Sequence, residues 1–176
     1  MSDVTLAPTA RVILGMVRMG KRTGYEIKQL VDVSARFFWT TSYGQIYPEL
    51  KRLEKQGLVR GEADPTGGRS RTVYSLTRAG DAALDAWLSS PDELVWEMRD
   101  EGLLKLFFSE GRDPAELRDH LRSVRERSEA VAARLRELGP VAEGAGPGPP
   151  MVREFGIALN EWLAGWWKRA EESIDA

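Results

Sequence analysis

The hydrophobic period of this chain changes between Leu58 and Thr77, and that change constrains the fold more than any other feature. Residues 58–63 (LVRGEA) and 72–77 (TVYSLT) are short strand-like runs joined by DPTGGRSR. Two such runs around a glycine-rich connection form a hairpin, with Gly67 and Gly68 permitting the tight turn at its tip. On both sides of it the pattern is helical.

A first helix is expected over about Pro8 to Met19, with Val12, Ile13, Met16 and Val17 on its apolar face and Gly20 ending it. Thr23-Gly-Tyr-Glu26 has the form of a capping box, in which the Thr23 hydroxyl and the Glu26 carboxylate each satisfy an orphan amide. The second helix then buries Ile27, Leu30 and Val31. After the aromatic cluster Phe37, Phe38, Trp39, the hydroxyls of Thr40, Thr41 and Ser42 offer an N-cap for a third helix, whose buried stripe is Ile46, Leu50 and Leu53. Gly57 stops it, and Leu58 closes over its last turn. Thr77 caps a fourth helix to about Leu88. Three helices followed by a basic-tipped hairpin describe a winged helix-turn-helix.

The charges are divided to match. Residues 1–80 hold 13 Lys and Arg against 7 Asp and Glu, and residues 81–176 hold 12 against 20. The first half suits a polyanion and the second does not. A helix entering a major groove needs short polar or aromatic residues at its start and cations where it passes phosphates. Ser42, Tyr43, Gln45 and Tyr47 open the third helix, and Lys51 and Arg52 follow two turns on. At the hairpin tip Arg69 and Arg71 present cations to phosphates or a minor groove. Read singly, the tyrosines are surface aromatics and the tip is a solvated turn; their order along the chain gives them meaning.

Beyond Leu88 the signals are helical. Ser90-Pro-Asp-Glu93 has the form of a capped, proline-first start, while Gly102 argues against one unbroken helix to Ser109. Asp113-Pro-Ala-Glu116 opens a long helix in which Leu117, Leu121, Val124, Ser128, Val131, Leu135 and Leu138 alternate in steps of four and three. That seam needs a partner, either a second copy or another helix of the same subunit. GPVAEGAGPGPP (139–150) reads as a linker. A last helix, about Met151 to Ser173, places Val152, Phe155, Leu159, Trp162 and Trp166 on one face, widened by Leu163 and Trp167. Leu104, Phe107 and Phe108 belong to a helix apolar on several sides. Trp96, Trp162 and Trp166 serve either as core and interface or as walls for an aromatic effector.

In order, Thr23-Gly24-Tyr25-Glu26-Ile27, Phe38-Trp39, Ser42-x-Gly44-x-Ile46-Tyr47-Pro48-x-Leu50-x-x-Leu53-x-x-x-Gly57-Leu58, Gly68-Arg69 and Tyr74-x-Leu76-Thr77-x-x-Gly80 resemble the PadR family of bacterial transcriptional regulators. The resemblance is dense over about residues 11–88 and looser through Glu101 to Phe108; Ser89 to Glu97 and the Gly/Pro linker depart from the family pattern. It implies a mainly α protein with a small β-hairpin wing: a winged helix-turn-helix at 1–88 and a helical dimerisation and effector domain at 89–176. It implies further a homodimer, each winged domain reading one half-site of an inverted-repeat double-stranded DNA operator, and repression relieved by a small molecule. The DNA-binding positions become Ser42, Tyr43, Gln45, Tyr47, Lys51, Arg69 and Arg71, to which helical spacing adds Arg52. The dimer interface falls to Leu104, Phe107, Phe108, Leu121, Val124, Leu159, Trp162 and Trp166.

Other classes are disfavoured. There is no cysteine, and His120 is the only histidine, which leaves little for thiol, imidazole-pair or zinc chemistry. GAGPGPP follows a helix and lacks the Lys-Ser/Thr ending of a phosphate loop. No enzyme activity, cofactor or metal is expected. Without an apolar run of about 18 residues or a basic leader, the chain reads as cytoplasmic with no membrane partner. The competing reading is a winged-helix interaction module that scaffolds a complex without binding DNA.

Overall fold

The computed structural model describes residues 6–33, 43–65, 71–91, 98–138 and 146–174. The chain divides into two compact units, Met1–Glu93 and Leu94–Ala176.

In the first unit α1 (Pro8–Arg18) begins on proline and is followed by Gly20 in the left-handed region, φ 85°. The capping box of α2 (Gly24–Val33) is formed: the Glu26 N–H donates to Thr23 Oγ1 at 3.2 Å, and the Thr23 N–H to Glu26 Oε2 at 2.8 Å. The chain enters α3 (Ile46–Lys55) through a 3-10 turn, Tyr43–Gln45, and the N-cap is Gln45, which makes no side-chain cap bond. Pro48 is thus the third α-helical residue, where an amide has no acceptor within the helix and its absence is tolerated. The hydroxyl cap expected from residues 40–42 lies outside the described residues. Gly57 (φ 71°) ends the helix, its N–H donating to Glu54 O and that of Leu58 to Leu53 O, both at 2.9 Å. This is a Schellman closure.

Strands β1 (Val59–Asp64) and β2 (Arg71–Leu76) pair antiparallel, from Val59 opposite Leu76 to Asp64 opposite Arg71. Two bonds tie the hairpin to the rest of the unit: the Tyr74 N–H donates to Arg22 O, between α1 and α2, at 2.7 Å, and the Gly61 N–H to Glu54 Oε1 of α3 at 3.0 Å. Thr77 caps α4 (Arg78–Leu88), its Oγ1 accepting from the Gly80 N–H at 3.0 Å. Gly80 faces the Leu58 carbonyl so closely that a Cβ would lie 1.9 Å from that oxygen. Ile13 and Leu14, Ile27, Leu50 and Leu53, and Leu84 form the core with essentially no exposed surface. Arg18 fastens α1 to α4 through Asp81 and Asp85, at 2.7 Å each.

The second unit holds α5 (Glu101–Phe107), capped by Asp100, α6 (Pro114–Glu137), capped by Asp113, and α7 (Gly148–Ser173). The partner of the α6 seam is α7 of the same chain. The two pack lengthwise, with Arg122 and Arg125 both bonded to Glu171 and Arg136 to Glu161. Leu121, Ser128, Ala132 and Leu135 are buried on α6 and Ala164 and Trp167 on α7, while Gly156 lets α7 approach the Leu135 side chain. The Ser128 hydroxyl donates to Val124 O at 3.2 Å, so the one polar seam residue is satisfied. Helix α7 starts three residues earlier than expected, inside the Gly/Pro stretch, with Pro149 and Pro150 in its first turn.

Candidate nucleic-acid interface

The outer side of α3 carries most of the candidate residues. Gln45 and Lys51 are exposed, and Tyr47 retains 54% of its surface. The Thr9 hydroxyl of α1 reaches Gln45 Oε1 at 3.5 Å, a weak tether that leaves most of the amide to solvent. The Tyr47 ring lies against Gly24 at the start of α2. Beside it Tyr25 is 62% exposed, its hydroxyl accepting from Gln29 Nε2 at 2.8 Å. Tyr25 is an exposed polar aromatic one residue from Gly24, and its place in the capping box gives no sequence signal for a surface role.

The cations differ in availability. Lys51 has no ion pair among the described residues. Arg52 grips Glu49 with two hydrogen bonds of 2.8 and 2.6 Å, and these raise its guanidinium above the ordinary value. Arg71 is bonded across the hairpin to Asp64 at 2.9 Å. Spacing alone assigned Arg52 and Arg71 to phosphates; the structure gives each an internal carboxylate first. Tyr43 begins the 3-10 turn. Ser42 and Arg69 lie outside the described residues, as does Trp96.

The Glu26 carboxyl shapes the start of α2. Burial pushes its pKa up, but the Thr23 N–H and hydroxyl, the Arg22 N–H and the Lys21 charge outweigh burial and hold it below its ordinary value.

In the second unit the residues assigned to an interface separate into two groups. Leu121 is fully buried within the chain and Val124 half-buried. Leu104 (56%), Phe107 (79%), Phe108 (70%) and Trp162 (60%) are exposed, as are Val152, Phe155 and Leu159. Helices α5 and α7 thus each leave large apolar side chains exposed. Trp166 is half-buried, edge-on to the buried Trp167 with ring centroids 4.8 Å apart. An open cleft of about 600 Å³ lies between α5 and α6, lined by Leu104, Lys105, Phe108, Arg112, Leu117 and His120, without Trp162 or Trp166. His120 Nε2 is 3.1 Å from Gly102 O, which joins the two helices. Among the described residues no group of three or more His, Asp or Glu could hold a metal ion, and no helix is long and apolar enough to cross a membrane.

Residues 13–86 match the model of the transcriptional regulator PadR-like family, and residues 98–175 match that of the virulence activator alpha C-terminal region. The negative transcriptional regulator PadR of Bacillus subtilis is 33% identical over 97 residues, covering 54% of this chain and 53% of that protein. The match spans 37–64% of the length of the curated relatives. Bacillus subtilis PadR in complex with operator DNA aligns at a TM-score of 0.81 with 24% identity, covering 94% of this chain and 98% of that one. The same protein in complex with p-coumaric acid aligns at 0.76, also with 24% identity, covering 97% and 100%. At that identity the likeness carries the fold.

Proposed function

We propose that this chain, which belongs to the PadR-like family of transcriptional regulators through its residues 13–86, is a dimeric, cytoplasmic, sequence-specific DNA-binding repressor released by a small aromatic ligand. The observation that carries the reading is the exposed edge of α3, where Gln45, Tyr47 and Lys51 stand in the same unit as a β-hairpin wing. Gln45 and Tyr47 are suited to base edges or sugar-phosphate oxygens and Lys51 to phosphate. Ser42, Tyr43 and Arg69 extend this face by their positions in the sequence, and Arg52 and Arg71 reach DNA only on exchanging a carboxylate for a phosphate. Residues 1–88 read the operator and residues 89–176 dimerise through the exposed residues of α5 and α7, Trp162 and Trp166 serving the interface. Dimerisation places two recognition helices on an inverted repeat. The protein acts by binding and not by catalysis. Support for repression and release comes from the Bacillus subtilis relative, a negative regulator captured with operator DNA and with a phenolic acid.

The test is fluorescence anisotropy with the duplex upstream of its own gene against a scrambled duplex, at two salt concentrations. Preference for the native duplex should persist at the higher salt, with a log-log slope of roughly -0.9 per neutralised phosphate. Loss of binding to both duplexes by a protein that still dimerises would favour an interaction module instead.

A further inference from the structure

Gly24 occupies the first position of α2, is buried, and is absent from the glycines with positive φ. Its backbone therefore does not require glycine. A Cβ built there would lie 2.5 Å from Tyr47 Cε1, 3.0 Å from Cδ1 and 3.1 Å from Cζ. The aromatic ring of α3 rests directly on the bare Cα of α2, yet Tyr47 keeps 54% of its surface open. Because the obstructed atoms are the far end of a side chain, a methyl group would displace the ring and leave the backbone in place.

We propose that Gly24 is a positioning residue for DNA readout: the bare Cα of α2 is the seat that fixes the Tyr47 ring at one orientation on the face of α3. The inference rests on the DNA-binding reading above and adds a determinant that touches no DNA itself. A side chain held in one orientation before binding loses less conformational freedom in the complex than one that must be ordered there. A seated Tyr47 therefore favours the one duplex geometry its hydroxyl and ring fit. The capping box leaves this seat intact, since Thr23 and Glu26 satisfy the amides of α2 beside it.

The test is a double-mutant cycle on the full-length protein with Gly24→Ala, Tyr47→Ala and the double variant. Specific and scrambled-duplex affinities, the salt slope and Tm are read for each. Tyr47→Ala should weaken specific binding by about tenfold, the loss of one good polar contact. Gly24→Ala should weaken it by a similar factor with Tm and salt slope unchanged, and should add nothing in the Tyr47→Ala background. A silent Tyr47→Ala overturns both the contact role of Tyr47 and the seat. If Tyr47→Ala weakens binding while Gly24→Ala is silent, the seat fails and the DNA reading stands. If Gly24→Ala lowers Tm and both affinities equally in either background, the glycine is structural and the proposal is overturned.

Discussion

Replacing Gly80 by alanine sets two effects of opposite sign against each other. Alanine is preferred to glycine in a helix by about 1 kcal/mol, and Gly80 lies in the first turn of α4. Against this, its Cβ would stand 1.9 Å from Leu58 O and 2.8 Å from the Leu58 carbonyl carbon, where real Cβ atoms keep beyond 3.0 Å. The obstacle is backbone, and it is held: Leu58 O accepts from the Thr77 N–H at 3.1 Å, and the Thr77 hydroxyl donates at 2.6 Å to the adjoining Gly57 O. That carbonyl cannot turn aside without giving up the Thr77 amide. Helix α4 must instead withdraw from the base of the wing by more than 1 Å, which strains the 3.0 Å cap from Gly80 to Thr77. Such forced shifts cost about 1–3 kcal/mol, and two weakened hydrogen bonds about 1 kcal/mol each. After the helix preference is subtracted, the loss is about 2–4 kcal/mol. At about 4–8 °C per kcal/mol for a unit of this size, the thermal transition of the N-terminal unit should fall by about 10–30 °C in calorimetry or circular dichroism. A Tm equal to or above that of the parent protein would refute the close approach of α4 to Leu58.

Three further outcomes follow from particular contacts. Because the folded pKa of Glu26 is depressed below the ordinary 4.5, its stabilisation is present above that pH and is lost as pH falls through the folded value. Glu26→Ala should therefore lower Tm at neutral pH, by the equivalent of about 0.5–2 kcal/mol for a lost cap, and flatten its decline in acid; parallel pH profiles would contradict this. Lys51→Ala should reduce the magnitude of the salt slope of operator binding by about 0.9 per protomer, and Arg52→Ala by less, since its guanidinium is engaged by Glu49; the reverse ranking in salt titrations would remove Lys51 from the phosphate contacts. Trp162→Asp should raise the dimer Kd in sedimentation about a thousandfold, since a hot spot of about 2 kcal/mol recurs twice across a symmetric interface, whereas unchanged sedimentation would take α7 out of the interface.

What was legible in the sequence was local. The capping box at Thr23 and Glu26, the cap at Thr77 and the closure at Gly57 are each determined within a few residues, and each forms where its spacing places it. The hairpin was equally legible, within a residue at each strand end. The beginning of α3 was not. Its α-helical cap is Gln45, preceded by a 3-10 turn, and polar side chains over residues 40–45 give several equivalent places to start. Nor could spacing say which surface cations are internally paired. Arg52 with Glu49 is a three-residue separation that sequence permits but does not require, and Arg71 with Asp64 depends on the strand register. Gly24 and Gly80 were visible as residues of a motif, but the atoms they make room for belong to elements distant in the chain.

The seam of α6 shows most clearly where pattern ends and packing begins. Leucines in steps of four and three demand a helical partner, and the chemistry of that demand is the same whether the partner is in one subunit or two. The choice is made by α7, whose Gly156 and Ala164 allow close approach and whose Trp167 fills the contact with no surface left exposed. Satisfying the seam inside the chain turns the other face of α7 outward, and that face is apolar as well: Val152, Phe155, Leu159 and Trp162. A helix apolar on two faces is stable in water only if both are covered. With the seam satisfied by α6 and α7 of one chain, the proposed dimer must draw on the outer face of α7 and on Leu104, Phe107 and Phe108 of α5, and it is there that substitutions should separate dimerisation from folding.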